Sequence, residues 1–288
     1  MTEKMTLATR GSPLALKQAE LTQQWLSRVF PGMKTEIMTV VTTGDRKTSW
    51  SLEKEGGKGL FTKELEEVLL QGKADVAVHS AKDLPTTNPD GLAIAGFLPR
   101  ASALDVMAIR EAVIEPKLIA TGSPRRRAQA KQLYPQAVWT EIRGNVETRL
   151  KKIARGQADA TILAEAGLKR LGISAWPGIR LLPLAIHDLV PAVGQGAIAL
   201  QTRAETTQML NPQLDQPTAL AVTIERAFLA GLGGGCHTAF AAHYFDGTLW
   251  VFHENVGIRQ FPLRISMEDL TTIEQRLAPI MQELGVTP

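Results

Sequence analysis

The 288-residue chain is 44% hydrophobic and 21% charged, with a formal net charge of +3, the balance of a globular protein large enough for two or three domains. So modest a charge, with few and scattered aromatics, argues against a nucleic-acid binder. No run approaches a membrane span, no apolar signal core follows Met1, and one cysteine cannot form an internal disulfide, so the expected compartment is the cytoplasm.

Met5 to Thr9 reads as a strand that leads through Arg10-Gly11 into a helix. Ser12 is a good N-cap, Pro13 suits the first turn, and Leu14, Leu21, Trp25 and Val29 fall on one face of a helix reaching Phe30. Glu36 to Val41 is a second strand. The polar stretch Thr42 to Gly59, with Gly56-Gly57-Lys58-Gly59, predicts a long mobile loop that covers a cleft. Phe61 to Gln71 is helical. Ala74 to His79 is a buried strand that ends in Ser80-Ala81-Lys82-Asp83-Leu84-Pro85, and Leu92 to Leu98 is another strand.

A second unit repeats the alternation, with strands at 106–109, 118–121, 137–140 and 158–163. Helices start at Ser123-Pro124 and at Asn145, and a third runs through Arg170. Pro191-Ala192-Val193-Gly194-Gln195-Gly196 is turn-like, and the strand Ala197 to Gln201 after it returns the chain to the first unit. A helix from Pro217 to Leu229 delivers Cys236. Phe240 to Phe245, Leu249 to His253 and Phe261 to Ile265 predict an antiparallel meander with an Asp246-Gly247 turn, closed by a helix from Met267 to Leu284. The expected domains are two α/β units, 1–98 with 194–213 and 99–193, and an α+β unit, 214–288, that carries the cysteine.

The chemistry concentrates in three places. Arg10, Arg125, Arg126, Arg143 and Arg149 each follow a strand end or sit in the first turns of a helix, the edge of an open α/β sheet that faces a ligand crevice. Guanidinium forks beside helix N-termini predict a cleft for a ligand with several anionic groups. Asp83 follows Lys82 at a strand end. It is either an Asp–Lys turn pair or an ionised carboxylate able to hold a developing cation. Cys236, behind Gly233-Gly234-Gly235, is either an inert thiol at a helix end or a chemically used sulfur on a tight loop. The five histidines show no metal-ligand spacing, so no metal is expected. His79 reads as a structural neighbour of the acid, and His237 is placed to lower the thiol pKa only if the rings and sulfur meet.

These motifs together resemble the porphobilinogen deaminase (hydroxymethylbilane synthase) family. Ala8-Thr9-Arg10-Gly11-Ser12-Pro13, Gly56-Gly57-Lys58-Gly59-Leu60-Phe61, Val78-His79-Ser80-Ala81-Lys82-Asp83-Leu84-Pro85, Arg143-Gly144-Asn145-Val146, Ala166-Gly167-Leu168-Lys169-Arg170, Pro191-Ala192-Val193-Gly194-Gln195-Gly196 and Gly234-Gly235-Cys236 occur in the family's order. The resemblance implies two type II periplasmic-binding-protein-like α/β domains around a cleft and a small α+β C-terminal domain. It implies a monomeric transferase that deaminates and condenses four porphobilinogen molecules on a dipyrromethane primer, held by a thioether to Cys236, and then releases hydroxymethylbilane by hydrolysis.

Carried over by position, Asp83 is the catalytic aspartate. Lys82, Thr121, Ser123, Arg125, Arg126, Gly144 and Ser80 match cofactor contacts. Arg10, Ser12, Lys58, Phe61, Arg143, Arg149, Arg170 and Gln195 match positions on the substrate side. Two departures stand out: Gly122 replaces a hydroxyl residue, and His237-Thr238 follows the cysteine where the family places a small apolar residue and proline. They imply altered cofactor retention or thiol reactivity. Two rival readings are a non-catalytic anion-binding module of the same α/β class, which leaves Asp83 and the Cys236 loop unexplained, and a degenerate member that binds pyrroles without turnover.

Overall fold

The computed structural model describes residues 4–46, 59–233 and 239–285; Lys58, Cys236 and His237 lie outside them. In chain order the first elements are β1 (Lys4–Arg10), α1 (Pro13–Val29), β2 (Lys34–Val40), α2 (Thr43–Arg46), α3 (Lys63–Leu70), β3 (Val76–Ser80) and β4 (Leu92–Phe97). Then come β5 (Asp105–Arg110), β6 (Leu118–Ala120), α4 (Pro124–Leu133), β7 (Val138–Thr140), α5 (Val146–Ala154), β8 (Ala160–Ala164), α6 (Glu165–Arg170) and β9 (Ile179–Pro183). The last group is β10 (Ile198–Arg203), α7 (Thr207–Leu210), α8 (Gln216–Gly231), β11 (Phe240–Phe245), β12 (Thr248–His253), β13 (Gly257–Pro262) and α9 (Ile273–Glu283). The described residues divide into two compact units: 4–46, 59–101 and 197–219, and 102–196 with 220–233 and 239–285.

The first unit is built on a sheet of order β2-β1-β3-β10-β4, in which β1 runs parallel to β2 and β3 while β10 is antiparallel to β3 and β4. β3 lies at the centre, and Val76, Ala77, Val78 and His79 are all buried, as a strand covered on both faces requires. Ser12 caps α1 by accepting from Ala15 N, with Pro13 at the first helical position. The buried face of α1 differs from the one the large apolar residues predict. It consists of Ala15, Gln18, Ala19, Thr22 and Leu26, while Leu14, Leu21, Trp25 and Val29 are only partly covered. Small side chains let the helix approach the sheet closely, so the bulky ones flank the contact instead of filling it.

The second unit repeats the plan with the order β7-β6-β8-β5-β9: β6 is parallel to β7 and β8, and β5 antiparallel to β8 and β9. In each sheet the antiparallel strand comes from the far side of a chain crossing, β5 directly after β4 and β10 directly after β9. The edge strand β9 has no counterpart among the sequence expectations, because Arg180 and Pro183 break its apolar pattern. The same unit carries the antiparallel sheet β11-β12-β13, packed on α8 and α9 through Ile224, Phe228, Leu249, Val251 and Leu277. Asp246 and Gly247 both take positive φ, 47° and 71°, and make the expected hairpin turn.

Three expectations need correction. The last strand begins at Gly257 and ends at Pro262, because the turn closed by Val256 N on His253 O leads directly into it. The last helix is broken: a 3-10 turn at Glu268–Thr272 precedes α9. The polar stretch does not begin as a structureless loop, since Thr43–Arg46 is a helical turn pinned by Gly44 N to Leu60 O at 2.8 Å and by Thr43 N to Glu64 Oε1 at 2.7 Å. Residues 47–58 lie outside the described residues. Among the described residues no helix is long and apolar enough to cross a membrane.

Gly96 marks the tightest point of the first sheet. Its φ is 151°, the β4–β10 register shifts beside it, and an added Cβ would stand 2.8 Å from Leu214 Cδ1 and 3.0 Å from Leu214 Cβ. Gly96→Ala is expected to lower unfolding free energy by roughly 1–3 kcal/mol through overpacking; an unchanged urea midpoint would show that Leu214 moves aside freely.

Candidate active site

Because β1 and β3 are neighbouring parallel strands, with Leu7 opposite Val76 and Ala8 opposite Ala77, their C-terminal ends open on the same edge of the sheet. Arg10 is the last residue of β1. Ser80 ends β3, and Ala81–Asp83 then form one 3-10 turn closed by Leu84 N on Ala81 O at 3.2 Å. Pro85 prevents the turn from extending. A cavity of about 100 Å³ lies there, lined by residues that include Arg10, Ser12, Phe61, Ser80, Lys82 and Asp83. Six residues scattered from 10 to 83 thus share one small space, with Lys82 and Asp83 exposed at its rim. Gln18, buried on α1, anchors the floor: its Nε2 donates to Ser80 Oγ at 2.9 Å.

Arg10 is held from two directions. Its Nε and Nη2 donate to Asp45 Oδ2 and Oδ1 at 3.3 and 2.5 Å, and its guanidinium carbon lies 4.2 Å from the centroid of the Phe61 ring. Burial works to raise the Asp45 pKa, but the hydrogen bonds from Arg10 and Thr42 outweigh it and leave the carboxyl below its ordinary value. Phe61 reaches this position because Gly44 has no side chain: a Cβ there would meet Phe61 Cε1 at 2.2 Å.

His79, which also lines the cavity, is 4% exposed and bonds Gln201 Oε1 through Nε2 at 3.0 Å. Burial, with a smaller contribution from the Arg10 charge, holds its pKa to about 4, so the ring is neutral near pH 7. Gln201 Nε2 in turn donates to Glu66 at 3.4 Å, and burial raises the Glu66 pKa. Asp45, Gly44 and Gln18 carried no sequence signal of a site. Only their neighbours in space reveal them.

In the second unit Arg125 and Arg126 stand at the N-terminus of α4, as expected, but they do not stand open. They are 7% and 6% exposed, and both bind Asp105, whose exposure is 0%. Arg125 Nη2 donates to Asp105 Oδ2 at 2.8 Å, and Arg126 Nη2 to Oδ1 at 2.6 Å. Their remaining bonds go to the carbonyls of Val190 and Ile162. Burial would raise the Asp105 pKa, but the two guanidinium charges more than reverse it and hold the carboxyl at about 2. Gln195, expected to face substrate, is 1% exposed and donates to Ala103 O at 2.6 Å and Asp105 Oδ1 at 2.9 Å. Asp105 escaped notice because an acid at the start of an apolar strand resembles an ordinary strand cap.

Thr121 and Ser123 lie beside this cluster. Thr121 Oγ1 accepts from Ser123 N, and Ser123 Oγ caps α4 by accepting from Arg126 N. Gly122 is not demanded by space, since an added Cβ would meet only Ile142 O, at 3.6 Å. Arg143, Gly144 and Arg149 gather at the start of α5, where Arg149 Nε donates to Gly144 O at 2.7 Å and Lys152 Nζ to Arg143 O at 3.0 Å. Gly144, at φ 115°, leaves room for Thr148, whose Cγ2 an added Cβ would approach to 2.6 Å. Arg170, at the end of α6, donates to Gly196 O at 2.6 Å; burial lowers its pKa to about 10, so it remains charged near pH 7.

Comparison with known proteins matches these residues to one family. The family model described as porphobilinogen deaminase, dipyrromethane cofactor binding domain, matches residues 5–211. Porphobilinogen deaminase of Sulfurimonas denitrificans is 40% identical over 258 residues, covering 86% of this chain and 82% of that protein. That of Burkholderia vietnamiensis is 42% identical, over 83% and 73% of the two chains, and that of Nitratidesulfovibrio vulgaris is 43% identical, over 85% and 80%.

Removing the Asp105 charge would leave two buried guanidiniums unpaired, so Asp105→Asn is expected to cost about 3–5 kcal/mol in urea unfolding. The wild-type contribution has a defined pH window. The folded pKa of about 2 is depressed, so the stability is complete above the unfolded value and disappears as pH falls through about 2. Equal acid sensitivity of the two proteins, or a loss below about 1 kcal/mol, would mean that the pair does not support the fold.

Proposed function

The chain belongs to the porphobilinogen deaminase family, and on that premise we propose that the cavity at the ends of β1 and β3 is where porphobilinogen reacts, with Asp83 as the catalytic group. The activity is that of the family: porphobilinogen units are joined with loss of ammonia by an enzyme whose dipyrromethane cofactor domain spans residues 5–211. The observation that carries the proposal is the placement of the Asp83 carboxylate in one cavity with Arg10, Ser12 and Lys82.

The donor set suits the ligand. Porphobilinogen and the dipyrromethane cofactor made from it bear acetate and propionate groups, and a guanidinium, an ammonium and hydroxyls at this edge are the partners that carboxylates need. Arg10, Ser12 and Lys82 bind carboxylates, and Phe61 packs beside the pyrrole ring. Asp83 accepts the pyrrole N–H and holds the positive charge that develops on that nitrogen as the bond from the methylene carbon to its amine breaks, the amine leaving as ammonia and the methylene staying on the ring to form the next carbon–carbon bond. A fixed carboxylate aimed at charge that appears only in the transition state lowers the barrier without over-binding the substrate.

When bound, the dipyrromethane supplies the pyrrole carbon to which the first substrate unit is joined. Thr121, Ser123, Arg125, Arg126, Gly144, Ser80, Lys82 and Asp83 would hold it, with Cys236 Sγ as the thioether attachment point. Arg125 and Arg126 are buried against Asp105 and Thr121 is buried beside them, so half-buried Ser123 is the member of that set at the α4 N-terminus nearest the surface. Arg143, Arg149, Arg170, Lys58 and Gln195 complete the substrate side, with Gln195 acting from within through Asp105. A three-domain division, with 214–288 as carrier of Cys236, is supported by the separate core of Phe228, Leu249 and Leu277. Four additions followed by hydrolytic release, performed by a monomer in the cytoplasm, complete the proposal.

Asp83→Ala is expected to fold normally and to lose about a thousandfold or more in kcat; wild-type turnover would remove Asp83 from the mechanism. Native mass spectrometry of the protein from a porphobilinogen-producing host tests the cofactor and the oligomeric state together. The expected species is one 31.3 kDa chain plus two condensed porphobilinogen units, absent from Cys236→Ser. A bare chain, a loaded serine variant or a dimer would each overturn its part of the proposal.

A further inference from the structure

We propose that Asp45 is a positioning residue for substrate recognition that acts through Arg10, which rests on the reading that Arg10 binds a porphobilinogen carboxylate. Arginine has five N–H donors in a planar fork, and a fork on a flexible stem binds a carboxylate well only when its plane and rotation are set beforehand. Here both are set. Asp45 takes the Nε–Nη2 edge with both carboxylate oxygens, at 3.3 and 2.5 Å, and Phe61 covers one face at 4.2 Å. Two donors are spent on Asp45, and a carboxylate bound in the cavity that Arg10 and Phe61 line would use the Nη1 end of the fork.

Asp45 is itself anchored. Its Oδ2 accepts from Thr42 Oγ1 at 2.7 Å and from Thr42 N at 3.3 Å. The turn that carries it is tied to Leu60 and Glu64, and Gly44 supplies the gap that Phe61 fills. Thr42, Thr43, Gly44 and Asp45 thus each place a part of the Arg10 cradle, while Asp45 is not among the residues lining the cavity.

The pair is about a quarter exposed, with side-chain exposures of 22% and 25%. Such a bidentate pair, further tied to Thr42, can support the fold as well as the site, and the two roles read out differently. A role in folding alone predicts a lowered urea midpoint with KM unchanged, whereas a role in aiming Arg10 predicts a specific loss of substrate affinity.

Steady-state kinetics of the holoenzyme with porphobilinogen, for Asp45→Asn and Arg10→Lys singly and together, separate the two. Asp45→Asn is expected to raise KM about tenfold while kcat stays within about twofold, and to raise it no further in the Arg10→Lys background. Thr42→Val, which removes one anchor of Asp45, shifts KM the same way by a smaller factor and serves as the test if Asp45→Asn does not fold. Unchanged KM in Asp45→Asn beside a raised KM in Arg10→Lys would overturn the positioning role alone. A lowered KM would overturn it too, because Asp45 would then compete with substrate for Arg10. Unchanged KM in Arg10→Lys would instead remove the underlying assignment of Arg10.

Discussion

The parallel pairing of β1 with β3 is the constraint on which the cavity at the sheet edge depends. Two buried strands in register bring Arg10 and the Ser80–Asp83 turn to the same end of one sheet, although some seventy positions separate them in the chain. Each strand then stops for a local reason. Ser12 and Pro13 start a helix two residues after Arg10, and Pro85 ends the turn that presents Lys82 and Asp83. Asp83 therefore sits in a single turn directly after a buried strand rather than on a long loop, the placement that a charge-stabilising group would need in order not to reorganise during reaction.

The two units use guanidinium groups in opposite ways. In the first, Arg10 keeps part of its fork at a cavity, flanked by a ring and one carboxylate. In the second, Arg125 and Arg126 are drawn inside by Asp105, and Gln195 completes the cluster. Dehydrating three charges is tolerable only because nearly every donor has an acceptor: Asp105, Val190 O and Ile162 O take the two forks between them. The outcome is a firm base beneath the α4 N-terminus, whose first amides are taken by the Thr121 and Ser123 hydroxyls.

The sheets share a plan that repeats in space without repeating in sequence. Each of the two five-stranded sheets has one strand, β1 or β6, parallel to both its neighbours, and one antiparallel strand, β10 or β5, beside the next. Because β5 and β10 both arrive after a crossing, the chain passes from one unit to the other around residues 98–104 and returns around 184–197, and the segment 191–196 on the return path carries Gln195 to Asp105. The C-terminal sheet rests on the same unit, with Glu225 of α8 accepting from Gly194 N at 2.7 Å and from Tyr244 N at 2.9 Å. One buried acid thus links the return turn to the C-terminal sheet.

Local chemistry was legible in the amino-acid sequence. Ser12-Pro13, Ser123-Pro124 and Asn145 announced helix starts, Asp246-Gly247 announced a hairpin, and the buried run before Ser80 announced a central strand, because capping, fixed φ and burial act over a few residues. The ordered motifs were enough to identify the family and its reaction. Tertiary structure alone decided the partners of the charges. Arg125 and Arg126 look the same as Arg10 when read as strand-end arginines, yet Asp105 buries the first two while Asp45 and Phe61 hold the third at a cavity. Pairing between residues 20 to 90 positions apart depends on which strands become neighbours, and a pattern of types along the chain cannot specify that.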